Sequence, residues 1–127
     1  MPTYTEDGPA IIEHNGVKLK EFPICTKKFL GKHIVYCGGG YFRLCPYSLM
    51  KKWTAQKDYV LSYIHPRDLD AGQPMIKELD WKRKFKSYIG LRHAEKKLKQ
   101  FLTDFPFCDI LEADRKMNWE NSPLINM

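Results

Sequence analysis

The chain has 127 residues, 43% apolar and 28% charged, which bounds it at one ordinary globular domain long enough to bury a core. Its formal net charge of +6 favours anionic over cationic partners. Four cysteines (Cys25, Cys37, Cys45, Cys108) without a C-x-x-C pair exclude zinc-knuckle and redox-motif readings, and no run approaches the roughly 18 apolar residues of a membrane helix.

Residues 1–9 read as an irregular lead-in broken by Pro2, Gly8 and Pro9. Asn15-Gly16 between Ala10–His14 and Val17–Phe22 predicts a hairpin, because a type I′ turn needs positive φ at both central residues. Val17 and Leu19 suggest one buried face, and Pro23 ends the pairing. Phe29–Lys32 reads as a short connection and His33–Tyr36 as an extended segment. Gly38-Gly39-Gly40 then forms a turn that launches a helix. Phe42, Leu44, Cys45, Leu49 and Trp53 recur at helical spacing, and Pro46 moves the regular start to near Cys45.

Tyr59–Ile64 is uncharged and rich in aromatic and β-branched residues, so an interior parallel strand covered on both faces is expected, with His65 at its C-terminal end. Loop follows through Gln73-Pro74. Leu91, Ala94, Leu98, Phe101 and Leu102 form an apolar stripe opposite Lys96, Lys97, Lys99 and Gln100, predicting an amphipathic helix. Phe107–Leu111 reads as a last strand and the segment from Asp114 to Met127 as loose. The order of hairpin, helix, buried strand, loop, helix and strand is α/β. Scattered cysteines among apolar neighbours suit buried thiols in a reducing compartment, and the polar N-terminus shows no apolar signal core; a cytoplasmic location is expected.

A histidine at a strand end is where α/β barrels place catalytic groups, and it is equally a group that a nearby carbonyl satisfies. Arg43 near a helix start serves a substrate or pairs with an acid. The glycines supply a tight turn or a close backbone approach, since neither a Walker pattern nor a dinucleotide fingerprint surrounds them. Trp53, Trp81, Phe85 and Tyr88 read first as packing groups. The histidines (His14, His33, His65, His93) include no i, i+4 pair, so spacing supports no metal site. Lys82, Arg83, Lys84, Lys86, Arg92, Lys96, Lys97 and Lys99 stand against Glu95 alone between residues 82 and 99. That cluster is a solvated helix face or a surface for phosphates.

Glu21-Phe22-Pro23, Gly38-Gly39-Gly40-Tyr41-Phe42-Arg43-Leu44 with Pro46, Tyr63-Ile64-His65-Pro66 with Asp68, Asp70, Gln73 and Pro74, and Phe85-Lys86-Ser87-Tyr88 follow one another in order. Together they resemble the C-terminal region of bacterial polysaccharide deacetylases, in the branch linked to exopolysaccharide biosynthesis loci. The resemblance covers residues 18–112. Residues 1–17 then hold the lead-in and first hairpin strand, and 113–127 a loose tail.

The resemblance implies the C-terminal half of a distorted (β/α) barrel and metal-dependent hydrolysis of N-acetyl groups on sugars. In that family one aspartate and two histidines hold the metal, usually zinc, and it polarises the amide carbonyl and a bound water. His65 matches the family's late motif, which implies a general acid that protonates the departing amine. Tyr41 and Arg43 match the glycine-rich motif and are implied in or near the substrate groove. Asp68 is expected to orient His65 or shape its loop. Arg67 departs from the tryptophan often found after His-Pro in this branch, so no stacking role is carried over.

The family's N-terminal aspartate pair and histidine metal motif have no counterpart in this sequence. No metal is therefore expected in this chain, with zinc or another divalent ion only in the complete enzyme, and the lone chain is expected to be inactive. The implied partners are an N-acetylated saccharide and either a complementary N-terminal half or a second copy, because half a barrel exposes a strand edge. The alternative is a non-enzymatic module whose basic 82–99 segment binds nucleic acid or a membrane surface.

Overall fold

Asn15 (φ 50°) and Gly16 (φ 79°) occupy the left-handed turn that the sequence predicts, joining β1 (Ala10–His14) to β2 (Val17–Glu21) with His14 opposite Val17. These coordinates come from a computed structural model that describes residues 8–127. The lead-in expected over residues 1–9 lies, for 1–7, outside the described residues. A second hairpin joins β3 (Lys27–Phe29) to β4 (Lys32–Ile34) through Leu30 (φ 48°) and Gly31 (φ 77°). The short connection expected at Phe29–Lys32 is thus a hairpin turn. Leu30 is a costly residue for positive φ, which hides the turn from sequence.

The helical spacing after the glycines resolves into α1 (Gly39–Leu44) and α2 (Tyr47–Thr54). The break falls at Cys45–Pro46 because a residue before proline is driven out of the helical region; Cys45 adopts φ −66°, ψ 132°. Pro46 caps α2, its carbonyl accepting from the N–H groups of Leu49 and Met50. Three further helices follow: α3 (Trp81–Tyr88), α4 (Leu91–Asp104) and α5 (Ile110–Lys116). The side chains of Asp80 and Asp109 cap α3 and α5, each accepting an N–H three residues on at 2.8 Å.

Tyr36, Cys37, Phe42, Met50, Trp53 and Phe101 form the core, with Val60, Ile64, Leu98, Phe105 and Phe107 packed against it. Phe101 packs tilted or edge-on against Phe42, Phe105 and Phe107, so α4 is the hub between α1 and the chain beyond it. The expected stripe on α4 is present but rotated. Lys97 turns inward and Leu102 is exposed. Burial pushes the Cys37 thiol up to about 12, with neighbouring Tyr36 pulling the other way. The scattered cysteines are only partly the buried thiols expected: Cys25 and Cys37 are buried, Cys45 is half-buried and Cys108 is exposed.

Further expectations are corrected. The run 59–64 is extended but not a strand within a sheet. Its only pairing among the described residues is a parallel bridge between Tyr63 and Gly38. It is pinned instead by polar contacts: Cys25 Sγ donates to Tyr59 O and accepts from Leu61 N, while Ser62 Oγ and Tyr63 N both donate to Cys37 O. An apolar run specifies burial, not a ladder partner. The strand expected at Phe107–Leu111 is irregular chain followed by α5, because the cap at Asp109 starts a helix inside it. The tail is not loose. Leu124–Asn126 forms β5, parallel to β1 in a sheet ordered β2-β1-β5. Trp119 packs edge-on against Phe22 at 5.6 Å, and Lys20 bonds Asp114 at 2.7 Å.

β2 also differs from expectation: Val17 and Leu19 are exposed, so neither face of that edge strand is buried. The described residues form a mixed α/β structure with two small sheets.

Candidate functional site

Gly38 and Tyr63 make the backbone approach on which the site rests. A Cβ on Gly38 would fall within 2.6 Å of the Tyr63 ring, at Cδ1 and Cζ. The extended backbone of Gly38 is open to any residue (φ −156°), so the glycine is required by space alone. Gly38→Ala is expected to lower stability by about 1–3 kcal/mol and to displace the Tyr63 ring from His65, against which it packs edge-on at 5.9 Å. Thermal melts check this: the penalty should shrink in Gly38→Ala/Tyr63→Ala.

Past the bridge, His65 opens a single 3-10 turn (Pro66–Asp68). Asp68 reaches back so that its Oδ2 accepts from the His65 N–H at 3.2 Å, and its Oδ1 lies 3.3 Å from Arg43 Nε. This Nε contact lacks hydrogen-bond alignment and is a charge contact. Asp68 is 4% exposed and Arg43 7%. The remainder of the guanidinium donates to the carbonyls of Ser87 (2.7 Å), Ile89 (3.2 Å) and Lys86 (3.1 Å) at the end of α3. Gly90 (φ 72°) lets the chain turn from α3 into α4 close beneath Arg43, whose carbonyl oxygen would be 2.8 Å from an added Cβ.

Lys97 completes the frame from α4. Its ammonium donates to Phe42 O (3.0 Å), Arg43 O (2.9 Å) and Cys45 O (2.7 Å), the carbonyls left open where α1 ends. Burial pulls the Lys97 ammonium down, with Cys45 opposing; burial likewise pushes the Cys45 thiol up, with Lys97 opposing. Lys97 is therefore part of the scaffold and not of a solvated face. Gln73, noted in the sequence, closes the His65 loop: its amide donates to Arg67 O at 2.9 Å and Asp70 O at 3.2 Å.

These pieces border a cleft of about 560 Å³ lined by Tyr41, Arg43, Tyr63, His65, Arg67, Asp68, Phe85 and Lys86 among others. All four residues singled out from sequence meet there, but they divide into two kinds. His65 and Tyr41 are exposed to the cleft. Arg43 and Asp68 are buried behind it, paired with each other and bonded to backbone, so Arg43 stands behind the groove in or near which the resemblance puts it, and Asp68 holds the His65 loop. Asp68 acts on His65 through its backbone N–H. Sequence reasoning did not pair Tyr63 with His65 and read Phe85 first as a packing group, whereas both rings line the cleft.

Among the described residues no three His, Cys, Asp or Glu side chains converge on a point where a metal could sit. The cleft does not fit zinc on its own residues, since His65 and Asp68 are the only metal-ligating side chains in its lining and Asp68 is held by Arg43. No helix of the described residues is long and apolar enough to cross a membrane. No curated protein and no solved structure matches the chain. One family does match, over residues 1–114, which takes in the glycine turn, the His65 loop and α4. The chain belongs to this family, described as a domain of unknown function (DUF3473).

Proposed function

We propose that the chain is the C-terminal part of a polysaccharide deacetylase-type enzyme, acting on N-acetylated sugars of an exopolysaccharide and bringing the general acid to a site completed by an N-terminal half. The observation that carries the reading is the convergence of His65, Tyr41 and the rings of Tyr63 and Phe85 on one cleft, over a buried Arg43–Asp68 frame. Exposed rings suit the apolar faces of a pyranose, and a cleft-facing imidazole can hand a proton to a departing amine nitrogen. DUF3473 domains are known in polysaccharide deacetylase-associated proteins, which supports the same reading.

The metal belongs in this proposal to residues outside the chain, and the lone chain is inactive. The fold proposed for the assembled enzyme is the distorted (β/α) barrel, with the Gly38–Tyr63 bridge the point from which parallel pairing would continue. Four unpaired thiols support a reducing, cytoplasmic setting.

The test on the chain by itself is an NMR titration with an N-acetylglucosamine oligomer. Amide shifts are expected at Gly39–Tyr41, Tyr63, His65 and Phe85, with the β1–β2 hairpin unmoved. Shifts confined to another surface would remove the cleft as the saccharide site.

A further inference from the structure

α3 is a helix with no buried residue. Its Trp81 is 73% exposed and Phe85, one turn on, 52% exposed. Met75 and Ile76, also exposed, are fastened beside its end, because Tyr88 Oη accepts from Ile76 N at 2.9 Å and donates to Pro74 O at 3.0 Å. Four large apolar side chains thus stand in solvent between residues 75 and 85.

Around them lie Lys77, Lys82, Arg83, Lys84 and Lys86, opposed in that stretch by Glu78 and Asp80. Asp80 is occupied as the cap of α3, and the Lys82 ammonium sits 5.6 Å above the Trp81 ring. A helix with Trp and Phe on one side and a dense basic side is the pattern that lies in a lipid headgroup layer, where rings enter the acyl boundary and cations meet anionic headgroups.

We propose that α3 and the Met75–Ile76 loop form an interfacial anchor that seats the chain on an anionic lipid surface. The charge selects the occupant. A second copy would bring the same basic patch against this one, and nucleic acid would neutralise the lysines but leave Met75 and Ile76 in water. A lipid surface satisfies both parts. Phe85 and Lys86 also line the cleft, so Phe85 is left to the cleft, insertion falls to Trp81, Met75 and Ile76, and the cleft mouth lies beside the membrane. The inference rests on α3 and its loop and stands whatever reaction the cleft performs.

The test is co-sedimentation of the whole chain with phosphatidylcholine vesicles, with and without about one-third phosphatidylglycerol. Binding is expected only to the anionic vesicles. Trp81→Ala should weaken it about tenfold, and Lys82→Gln and Lys86→Gln about fivefold each. All three side chains are exposed, so each variant should melt with the wild type. Equal binding to both vesicle types, no binding, or binding that Trp81→Ala leaves intact would each overturn the anchor. Retention on a DNA oligomer without vesicle binding would overturn it in favour of nucleic acid.

Discussion

Asp68→Ala is expected to destabilise the chain by about 3–5 kcal/mol, because it leaves the Arg43 guanidinium buried without its counter-charge. Both side chains are almost fully shielded, and the pair is not the exposed kind whose removal is nearly silent. The three carbonyls at Lys86, Ser87 and Ile89 still accept from Arg43, which places the loss toward the lower end of that range. For a domain of this size the shift in melting temperature should be roughly 10–20 °C. Asp68→Asn keeps an oxygen for the His65 N–H and should cost less than Asp68→Ala. A melt of Asp68→Ala within a degree of wild type would mean that the pair does not hold the site.

Lys97→Met should be almost as damaging, at about 3 kcal/mol, although the replacement keeps the apolar stem. The loss comes from the carbonyls of Phe42, Arg43 and Cys45, which the ammonium caps and a thioether cannot. The neighbouring Lys96 is exposed, so Lys96→Met should stay within about 0.5 kcal/mol of wild type. Urea midpoints on the pair of variants separate the two residues. Equal, small effects would return Lys97 to the solvated face that sequence assigns it. A Lys97→Glu change is accordingly a poor probe of binding to anions, since it breaks the scaffold first.

Lys97 shows where reading the sequence stops. It lies three residues after Ala94 and four before Phe101, both buried, so it sits at the border of the apolar stripe. Residue type assigns such a position to water. The open carbonyls at the end of α1, forced by the Cys45–Pro46 break, assign it to the interior. That demand is non-local and only the fold reveals it.

Local chemistry was legible. Asn15-Gly16, the Pro46 break and the α4 periodicity each depend on a few adjacent residues, and each is present. The helices that Asp80 and Asp109 cap are absent from the sequence expectations, and the second takes over part of the strand expected at Phe107–Leu111. Tyr59–Ile64 failed for another reason. A parallel strand needs a neighbour, and this half-buried run is held by Cys25, Cys37 and the core and not by a ladder. β5 was hidden because a three-residue strand beyond an irregular stretch carries no periodic signal.

The candidate site divides along the same line. That His65, Tyr41, Arg43 and Asp68 belong together was readable from their motifs. Which of them face the cleft was not, because Arg43 and Asp68 satisfy each other across 25 residues of sequence. Two exposed groups and two buried ones divide the work: the buried pair fixes the turn from which His65 projects, and the exposed residues face the cleft.

The most direct test of the proposed function is acetate release from an N-acetylated oligosaccharide by this chain combined with a deacetylase N-terminal half that carries the metal ligands. Release is expected from the combination and not from the chain alone. His65→Ala should lower the combined rate by about 10²–10⁴-fold while melting with the wild type, since His65 is exposed. A His65→Ala enzyme that releases acetate at the wild-type rate would contradict the account, and so would full activity of the chain by itself.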